Sequence, residues 1–191
     1  KRWLSICPRH QFTTLDTHDG IGVVDVYDLM SNEELERTKE NVYDRGANVK
    51  RVYNTAKYGN LDVYQINCTY YSALGDDDER SLLARAIQAF APGIPQIYYV
   101  GLLAGSNDLE LLEATGVGRN INRHYYTKSE VEREVSRPVV RRLLGLLRLR
   151  NTHPAFGGSC TVEEPSPSTL RMTRRLGPHR ATLNVDFATA A

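Results

Sequence analysis

A helix pattern followed directly by a strand pattern, between Asp76 and Gly101, constrains the fold of this chain more than any other feature. Four acidic residues, Asp76–Glu79, precede an apolar face with helical spacing, and Pro92–Gly93 mark the end of that helix. The next segment, Ile94–Gly101, is short, rich in β-forming residues and nearly continuous in its apolarity, which predicts a strand covered on both faces. A helix followed by a buried strand is typical of an α/β barrel, so we expect an α/β fold.

A second strand is predicted near the start of the chain. Thr13–Leu15 is a short β-branched run that stops at polar residues and at Gly20, as a buried strand does where it enters a loop. The intervening polar residues, Asp16–Asp19, are therefore candidates for a functional site.

Further helices are indicated by their capping residues. Ser31 with Glu34 three residues later forms a capping box, which predicts about three helical turns toward Gly46. A short helix is expected from Asp108 to Gly116, and a stronger one begins near Ser136 with Pro138 in its first turn. This last helix should bury Val139, Val140, Leu143, Leu144 and Leu147 and expose an arginine-rich face comprising Arg141, Arg142, Arg148 and Arg150.

The composition changes after Gly157–Gly158. Three β-type runs, split by Pro165, Pro167 and Gly177–Pro178, predict a small antiparallel sheet. We therefore expect two domains, residues 1–156 and 157–191, of which the second could be incomplete. The first residues contain no initiator Met, which favours a truncated N-terminus.

The charge balance excludes several classes of partner. The 191 residues carry 24 Lys and Arg against 23 Asp and Glu, a formal net charge of +1, so no overall field favours nucleic acid or an anionic membrane. The longest stretch without charge, Ile87–Gly105, could span a bilayer by its length, but glutamine, proline and tyrosine near its middle favour a soluble helix, loop and strand. Cys7, Cys68 and Cys160 lack metal-ligand spacing and are interpreted as free thiols of a cytoplasmic protein.

Five motifs carry a family resemblance. The run Gln11–Gly22 resembles the sucrose phosphorylases, a branch of the α-amylase family of glycoside-active enzymes. The likeness continues through four further segments and covers roughly residues 10 to 156. These segments are Asn60–Asn67, Thr69–Gly75, Pro92–Gln96 and Gly118–Tyr126.

The resemblance implies a fold and a reaction. The fold would be the C-terminal portion of a TIM (β/α)8 barrel, strands seven and eight with their helices, plus a small antiparallel β domain. The reaction would convert sucrose and phosphate to α-D-glucose 1-phosphate and fructose with retention of the anomeric configuration. No metal and no organic cofactor are implied, and a homodimer stays open for the full-length enzyme.

The resemblance also assigns roles to individual residues. Asp19 would be the carboxylate that stabilises the oxocarbenium-like transition state through the 2- and 3-hydroxyls of the sugar. His18 would donate a hydrogen bond to a glucosyl hydroxyl, and Arg119 would support the far side of the ring. Asp62, Tyr64 and Gln65 would lie on a mobile acceptor loop that contacts fructose or phosphate. Arg123 and His124 receive no role.

The residues that start the chemistry are missing from the motifs. In the family the nucleophilic Asp and the acid/base Glu come from strands four and five, upstream of this segment, so the chain alone should be inactive. Three alternatives stay open: a sibling phosphorylase acting on sucrose 6-phosphate, glucosylglycerate or glucosylglycerol, a hydrolase of the α-amylase type, and an inactive carbohydrate-binding remnant.

Overall fold

The computed structural model describes residues 4, 6–8, 10–26, 29–47 and 65–189. The chain divides into two compact units, which are described separately below. The first comprises Lys1–Thr14, Asp78–Gln96 and Val135–Ala191, and the second comprises Leu15–Asp77 and Ile97–Glu134.

The described strands and α-helices are numbered in chain order. The strands are β1 (Phe12–Thr14), β2 (Ile21–Gly22), β3 (Gln65–Ile66), β4 (Ile94–Gln96), β5 (Ser159–Ser166), β6 (Thr169–Leu176) and β7 (His179–Asp186). The helices are α1 (Asn32–Asp44), α2 (Tyr70–Ala73), α3 (Asp78–Phe90), α4 (Tyr99–Leu102), α5 (Leu109–Thr115), α6 (Lys128–Glu134) and α7 (Pro138–Thr152). Short 3₁₀ helices cover Val24–Val26, Gly118–Asn122 and Pro154–Gly157. The chain is thus an α/β protein with a small antiparallel sheet, as predicted.

Two parallel strands and one helix form the first part of unit one. β1 and β4 pair in parallel, with Thr13 opposite Pro95. Helix α3 is fixed to both strands by the buried side chain of Gln88, whose Nε2 donates to the carbonyl oxygens of Thr13 at 2.8 Å and Gln96 at 2.9 Å. Asp78 and Glu79 lie in the first turn of α3, where acidic side chains favour the helix dipole.

The strand predicted over Ile94–Gly101 is shorter than expected. β4 ends at Gln96, and helix α4 begins three residues later at Tyr99. Ile94 is 60 % exposed, so the expectation of a strand covered on both faces is wrong for the described residues. The physical reason is that, within the part of the chain that the structure describes, the sheet of β1 and β4 has two strands only and leaves faces uncovered.

The C-terminal strands form an antiparallel meander in the order β5-β6-β7. Their apolar side packs Met172 against Phe90 of α3 and Phe156 of the preceding 3₁₀ helix, and the two phenyl rings meet edge to face at 5.0 Å. The sheet therefore shares a core with α3 in unit one. That residues 157–191 are a separate domain stays a prediction.

In helix α7, three of the predicted core residues are buried, but the predictions for Leu144 and Arg150 are wrong. Val139, Val140 and Leu143 are buried, but Leu144 is exposed. Arg150 does not belong to a solvated arginine face, because it is half-buried and its Nη2 donates to the carbonyl oxygen of Gly93 at 2.7 Å. Its guanidinium also lies 5.0 Å from the ring centroid of Phe156.

Unit two has its own core and begins its helices as predicted. Ser31 accepts from the N–H of Glu34 at 3.2 Å while the Glu34 carboxylate accepts from the N–H of Ser31 at 2.8 Å, so the capping box is confirmed. Asp108 caps α5, and Gly116 ends it with a φ of +62°. The core cluster consists of Val23, Leu35, Ala47, Ile66, Cys68 and Ala73.

Several expectations concern the chain as a whole. The three cysteines are free thiols, as predicted. Among the residues that the structure describes, no helix has both the length and the apolarity to span a bilayer. The same residues hold no group of three or more His, Cys, Asp or Glu side chains arranged to bind a metal ion.

Candidate substrate-binding site

An aspartate between two arginines is the centre of the candidate site in unit two. Oδ1 of Asp19 lies 3.1 Å from Nη1 of Arg119 and 3.5 Å from Nη2 of Arg123. The Asp19 side chain is 31 % exposed, so the carboxylate can reach a ligand while the two guanidiniums hold one of its oxygens. The structure therefore brings Asp19 and Arg119, two of the residues predicted from sequence, into direct contact.

His18 stands beside Asp19 and faces solvent. Its Nε2 is 3.7 Å from Oδ2 of Asp19, beyond the range of a direct hydrogen bond, and its side chain is 67 % exposed. An accessible imidazole of this kind can donate or accept one hydrogen bond to a hydroxyl group without any change of charge. The predicted pair of His18 and Asp19 is thus placed at one surface.

The main chain of the Asp19 loop is fixed from a distant part of unit two. The side-chain amide of Asn122 donates to the carbonyl oxygens of Thr17 at 3.2 Å and Asp19 at 2.5 Å. Nε of Arg123 donates to the carbonyl oxygen of His18 at 2.8 Å. The carbonyl oxygens of three successive loop residues are therefore held by Asn122 and Arg123, which is the kind of support that a preorganised site needs.

Gly20 is required by a close approach of two backbones. A Cβ atom at this position would lie 2.5 Å from the carbonyl oxygen of Ile66, closer than side-chain carbons approach such oxygens. Because Ile66 belongs to β3, which pairs with β2 directly after Gly20, the Asp-Gly sequence is explained by packing.

The space beside Asp19 is small. The cavity that Asp19 shares with Asp16, Tyr98 and Asn122 has a volume of about 10 Å³, which suits one water molecule and excludes a sugar ring. Burial raises the pKa of the Tyr98 hydroxyl far above its ordinary value, with the neighbouring Tyr99 adding to the effect, so the Tyr98 side chain that lines this cavity is neutral. A sugar would therefore have to contact Asp19 from its exposed side, beside His18.

The remaining predicted residues divide into one that is described and two that are not. Oε1 of Gln65 is buried and has no hydrogen-bond partner among the described residues, a situation that favours a ligand or further chain at this atom. Gln65 does not line the cavity that contains Asp19. Asp62 and Tyr64 lie outside the described residues, so their roles stay predictions.

Two residues of the site were missed by sequence reasoning. Arg123 was left without a role, and Asn122 was not considered, although both lie in the segment Gly118–Tyr126 that carries the family resemblance. No local spacing indicated either role, because both side chains contact the Asp19 loop, which lies more than 100 residues away in the sequence. His124, by contrast, contacts Asp108 at 2.6 Å, and the other oxygen of Asp108 caps α5.

Comparisons with known proteins identify the relatives of this chain. No family model matches it. It is 61 % identical over 190 residues to a sucrose phosphorylase of Streptococcus mutans, an alignment covering 97 % of this chain and 40 % of that protein. It is 45 % identical over 188 residues to a glucosylglycerol phosphorylase of Marinobacter adhaerens, covering 98 % of this chain and 39 % of the relative.

A solved structure gives the same result. The crystal structure of sucrose 6F-phosphate phosphorylase from Thermoanaerobacter thermosaccharolyticum matches with a TM-score of 0.89 and 45 % identity, covering 99 % of this chain and 38 % of that one. The resemblance drawn from the motifs is therefore confirmed: the chain is a homologue of the sucrose phosphorylases and of their sibling phosphorylases. It spans about two fifths of the length of these relatives.

Proposed function

We propose that this chain, a homologue of the sucrose phosphorylases, is the C-terminal part of such an enzyme and forms one wall of its glucosyl-transfer site. The whole enzyme would transfer the glucosyl group of sucrose to phosphate, giving α-D-glucose 1-phosphate and fructose with retention of configuration. The observation that carries the proposal is the half-exposed carboxylate of Asp19, held by Arg119 and Arg123 beside His18.

Asp19 would act in the transition state. Retaining glucosyl transfer passes twice through an oxocarbenium-like state, and a fixed carboxylate near the sugar adds negative charge and accepts hydrogen bonds from hydroxyls that become more acidic as the cation develops. Because Oδ1 of Asp19 is held by two guanidiniums, Oδ2 is the oxygen that would accept from the substrate. The arrangement is preorganised, so little reorientation would accompany the reaction.

The neighbouring donors would position the glucosyl ring. His18 would donate from its exposed imidazole, and Arg119 would use N–H groups that remain after its contact with Asp19. Arg123 would act on the loop itself, since its Nε is already bonded to the carbonyl oxygen of His18.

The acceptor side would involve Asp62, Tyr64 and Gln65. An acid and a phenol can bind fructose hydroxyls, and an amide can donate to phosphate when the acceptor changes. Oε1 of Gln65, which is buried and has no hydrogen-bond partner among the described residues, supports a contact at this position in the complete enzyme.

Covalent chemistry would come from outside these residues. A nucleophilic carboxylate and an acid/base carboxyl group are both required for a retaining double displacement, and neither is assigned to this chain. The parallel pairing of β1 with β4 supports their assignment as neighbouring barrel strands, the seventh and the eighth. Without the other strands, the chain alone is expected to be inactive.

The alternative with direct support is a sibling phosphorylase. The match to a glucosylglycerol phosphorylase at 45 % identity means that the acceptor could differ while Asp19, His18 and Arg119 keep their roles. A hydrolase of the α-amylase type and a binding remnant lack a comparable observation. The three free thiols are in keeping with a reducing cytoplasm.

The decisive experiment uses a chimera in which this chain replaces the matching 190 residues of the Streptococcus mutans sucrose phosphorylase. We expect phosphate-dependent release of glucose 1-phosphate from sucrose by the chimera and none by the 191-residue chain alone. In the chimera, Asp19→Asn should lower kcat by about 100- to 1,000-fold. The control Asp44→Asn, at an exposed position at the end of α1, should leave kcat unchanged.

Each contrary result is informative. Activity in the isolated chain would refute the assignment of the nucleophile and acid/base to other residues. A folded chimera that cleaves glucosylglycerol or sucrose 6-phosphate but not sucrose would identify a sibling enzyme. A folded chimera that releases no glucose 1-phosphate from any of these donors would contradict the proposal.

A further inference from the structure

Unit one contains a large cavity that the proposed reaction does not use. It has a volume of about 710 Å³ and lies among β1, β4, the end of α7 and the first strands of the C-terminal sheet. We call it the Phe156 cavity after the aromatic ring that both of its arginines approach. Arg150 and Arg174 both line it, with their guanidinium carbons 5.0 Å and 5.9 Å from the Phe156 ring centroid.

Arg174 is a buried cation whose hydrogen bonds to described residues go to neutral groups. Its residue is 5 % exposed, and its Nη2 donates to the carbonyl oxygens of Phe156 and Gly158 at 2.5 Å and 3.2 Å. Its Nε is buried and has no hydrogen-bond partner in the described part of the chain. A buried guanidinium stays charged, so an unpaired donor on it costs more than on a neutral side chain.

Arg150, which also lines the cavity, has a similar set of contacts. Its Nη2 donates to the carbonyl oxygen of Gly93, and its Nε is also buried and unpartnered among the described residues. Burial lowers the pKa of Arg150, and the nearby positive charge of Arg174 lowers it further. Two cations are thus brought together in one partly apolar space at an electrostatic cost.

No counter-ion is found among the residues that line this space. None of the described lining residues is an aspartate or a glutamate. The thiol of Cys160 also lines the cavity, but it cannot act as a counter-ion, because burial raises its pKa and keeps it neutral. Two guanidiniums that line one cavity, each with an Nε–H that has no partner among the described residues, are a donor set that can recognise a planar or tetrahedral oxyanion.

We propose that the Phe156 cavity is an oxyanion-binding site in which Arg150 and Arg174 hold a carboxylate or a phosphate group. The oxygens of the anion accept hydrogen bonds from the two Nε–H groups and offset the adjacent positive charges. Two sources supply such a group: a free anion in solution, or an acidic side chain of polypeptide beyond these residues. The site belongs to unit one and is independent of the reaction at Asp19.

The test measures stabilisation by inorganic phosphate. The 191-residue chain is melted in sodium phosphate and in sodium chloride of equal ionic strength, as wild type, Arg150→Met and Arg150→Lys. We expect saturating phosphate to raise the Tm of the wild type by about 5 °C and that of Arg150→Met by less than about 1 °C. Arg148→Met, an exposed arginine on the same helix, should behave like the wild type.

The chimera with the Streptococcus mutans enzyme distinguishes the two sources and serves if the isolated chain does not fold. A free anion predicts that the phosphate effect persists in the chimera and is smaller in Arg150→Met. An acidic side chain predicts no Arg150-dependent phosphate effect, but a loss of several degrees of Tm in Arg150→Met relative to Arg148→Met. Phosphate bound at the reaction site would raise the Tm of Arg150→Met and of Arg148→Met equally, and this equal effect distinguishes it from phosphate bound in the Phe156 cavity.

The proposal is overturned by one pattern of results. In that pattern the folded chain responds to phosphate equally with and without Arg150, and the Arg150→Met and Arg148→Met chimeras melt at the same temperature. If the chain does not fold, equal melting of the two chimeras in phosphate and in chloride overturns it.

Discussion

The side-chain amide of Asn122 donates a hydrogen bond to the main-chain carbonyl oxygen of Asp19 over 2.5 Å, across 103 residues of sequence. The same amide nitrogen donates to the carbonyl oxygen of Thr17, and Asn122 is buried. One side chain therefore fixes the backbone on both sides of His18. The Asp19 loop is thus held through its main chain by Asn122 and through its carboxylate by the arginines.

Replacing Asn122 by alanine should loosen the Asp19 loop. The change leaves two carbonyl oxygens without their donor, which is expected to cost about 1–3 kcal/mol of the free energy of unfolding. In the chimera, kcat/KM for sucrose should fall by about 10- to 100-fold, because the carboxylate is no longer held in place. Thermal melting and steady-state kinetics provide the two readouts.

Asn120→Ala is the matched control for this change. Asn120 lies on the same 3₁₀ segment, but its side chain donates to Thr115 and does not reach the Asp19 loop. We expect it to leave kcat/KM nearly unchanged. Equal loss of activity in both variants would mean that the contact of Asn122 with the loop has no special role.

Arg123 is expected to affect catalysis by holding the Asp19 loop in place. Arg123→Met removes both the ion pair with Asp19 at 3.5 Å and the hydrogen bond to the carbonyl oxygen of His18. We expect kcat of the chimera to fall by at least about tenfold with a smaller change in KM, since the loss affects transition-state stabilisation. Arg123→Lys should recover part of kcat, because a lysine keeps the charge without the fork of donors.

An exposed arginine provides the comparison. Arg133→Met, on helix α6, removes a contact with Glu134 that is remote from the Asp19 loop and should leave kcat unchanged. Loss of activity in Arg133→Met as large as in Arg123→Met would show a general effect of charge instead of a local one.

Local sequence signals predicted the ends of helices α1 and α5 well. The capping box at Ser31, the Asp108 cap and the Gly116 terminus each depend on residues within one or two turns, and the structure has them where the sequence indicated. The length of the strand that begins at Ile94 was predicted too long, because apolarity and β propensity do not fix where a strand ends. The length of β4 is set by its pairing with β1, which extends over three residues, and β1 lies about 80 residues earlier in the sequence.

The candidate site was predicted in part for a similar reason. Asp19 and His18 could be found from one continuous motif, and Arg119 from another. The support of the loop by Asn122 and Arg123 could not, because it depends on two segments more than 100 residues apart that meet only in the folded chain. No rule of local spacing indicates which of several polar residues in Gly118–Tyr126 reaches back to the loop.

Gly20 should be intolerant of a side chain. In Gly20→Ala the new Cβ would lie 2.5 Å from the carbonyl oxygen of Ile66, so the backbone of the Asp19 loop or of β3 must shift. We expect a loss of about 1–3 kcal/mol in the free energy of unfolding, measured by denaturant titration. In the chimera the same change should lower kcat as well, since Asp19 is the adjacent residue.

Gly145→Ala is the control for this change, because alanine should be tolerated at Gly145. Gly145 lies inside helix α7, and a Cβ at this position meets no atom within 4 Å. Alanine should therefore stabilise the protein by about 0.5–1 kcal/mol through the better helix propensity. If Gly20→Ala were as stable as the wild type, the proposed constraint between the loop and β3 would be wrong.

Cys68 should make stability depend on pH in the alkaline range. Burial raises the pKa of the Cys68 thiol from 9.0 to about 11, with Asp76 adding to the effect and a hydrogen bond from Asn107 opposing it. Between these two values the unfolded chain loses the thiol proton while the folded chain keeps it, so the free energy of unfolding falls as pH rises through this window. Below pH 9 the contribution is fully present, and its total size is on the order of 2 kcal/mol.

The measurement compares the pH dependence of unfolding by urea for the wild type and Cys68→Ala between pH 8 and pH 11. The alanine variant starts from a lower stability, because it removes a buried side chain, but its curve should be flatter by about 2 kcal/mol over the window. Parallel curves for the wild type and Cys68→Ala would mean that the Cys68 thiol is as accessible to titration in the folded state as in the unfolded one, in contradiction to its burial.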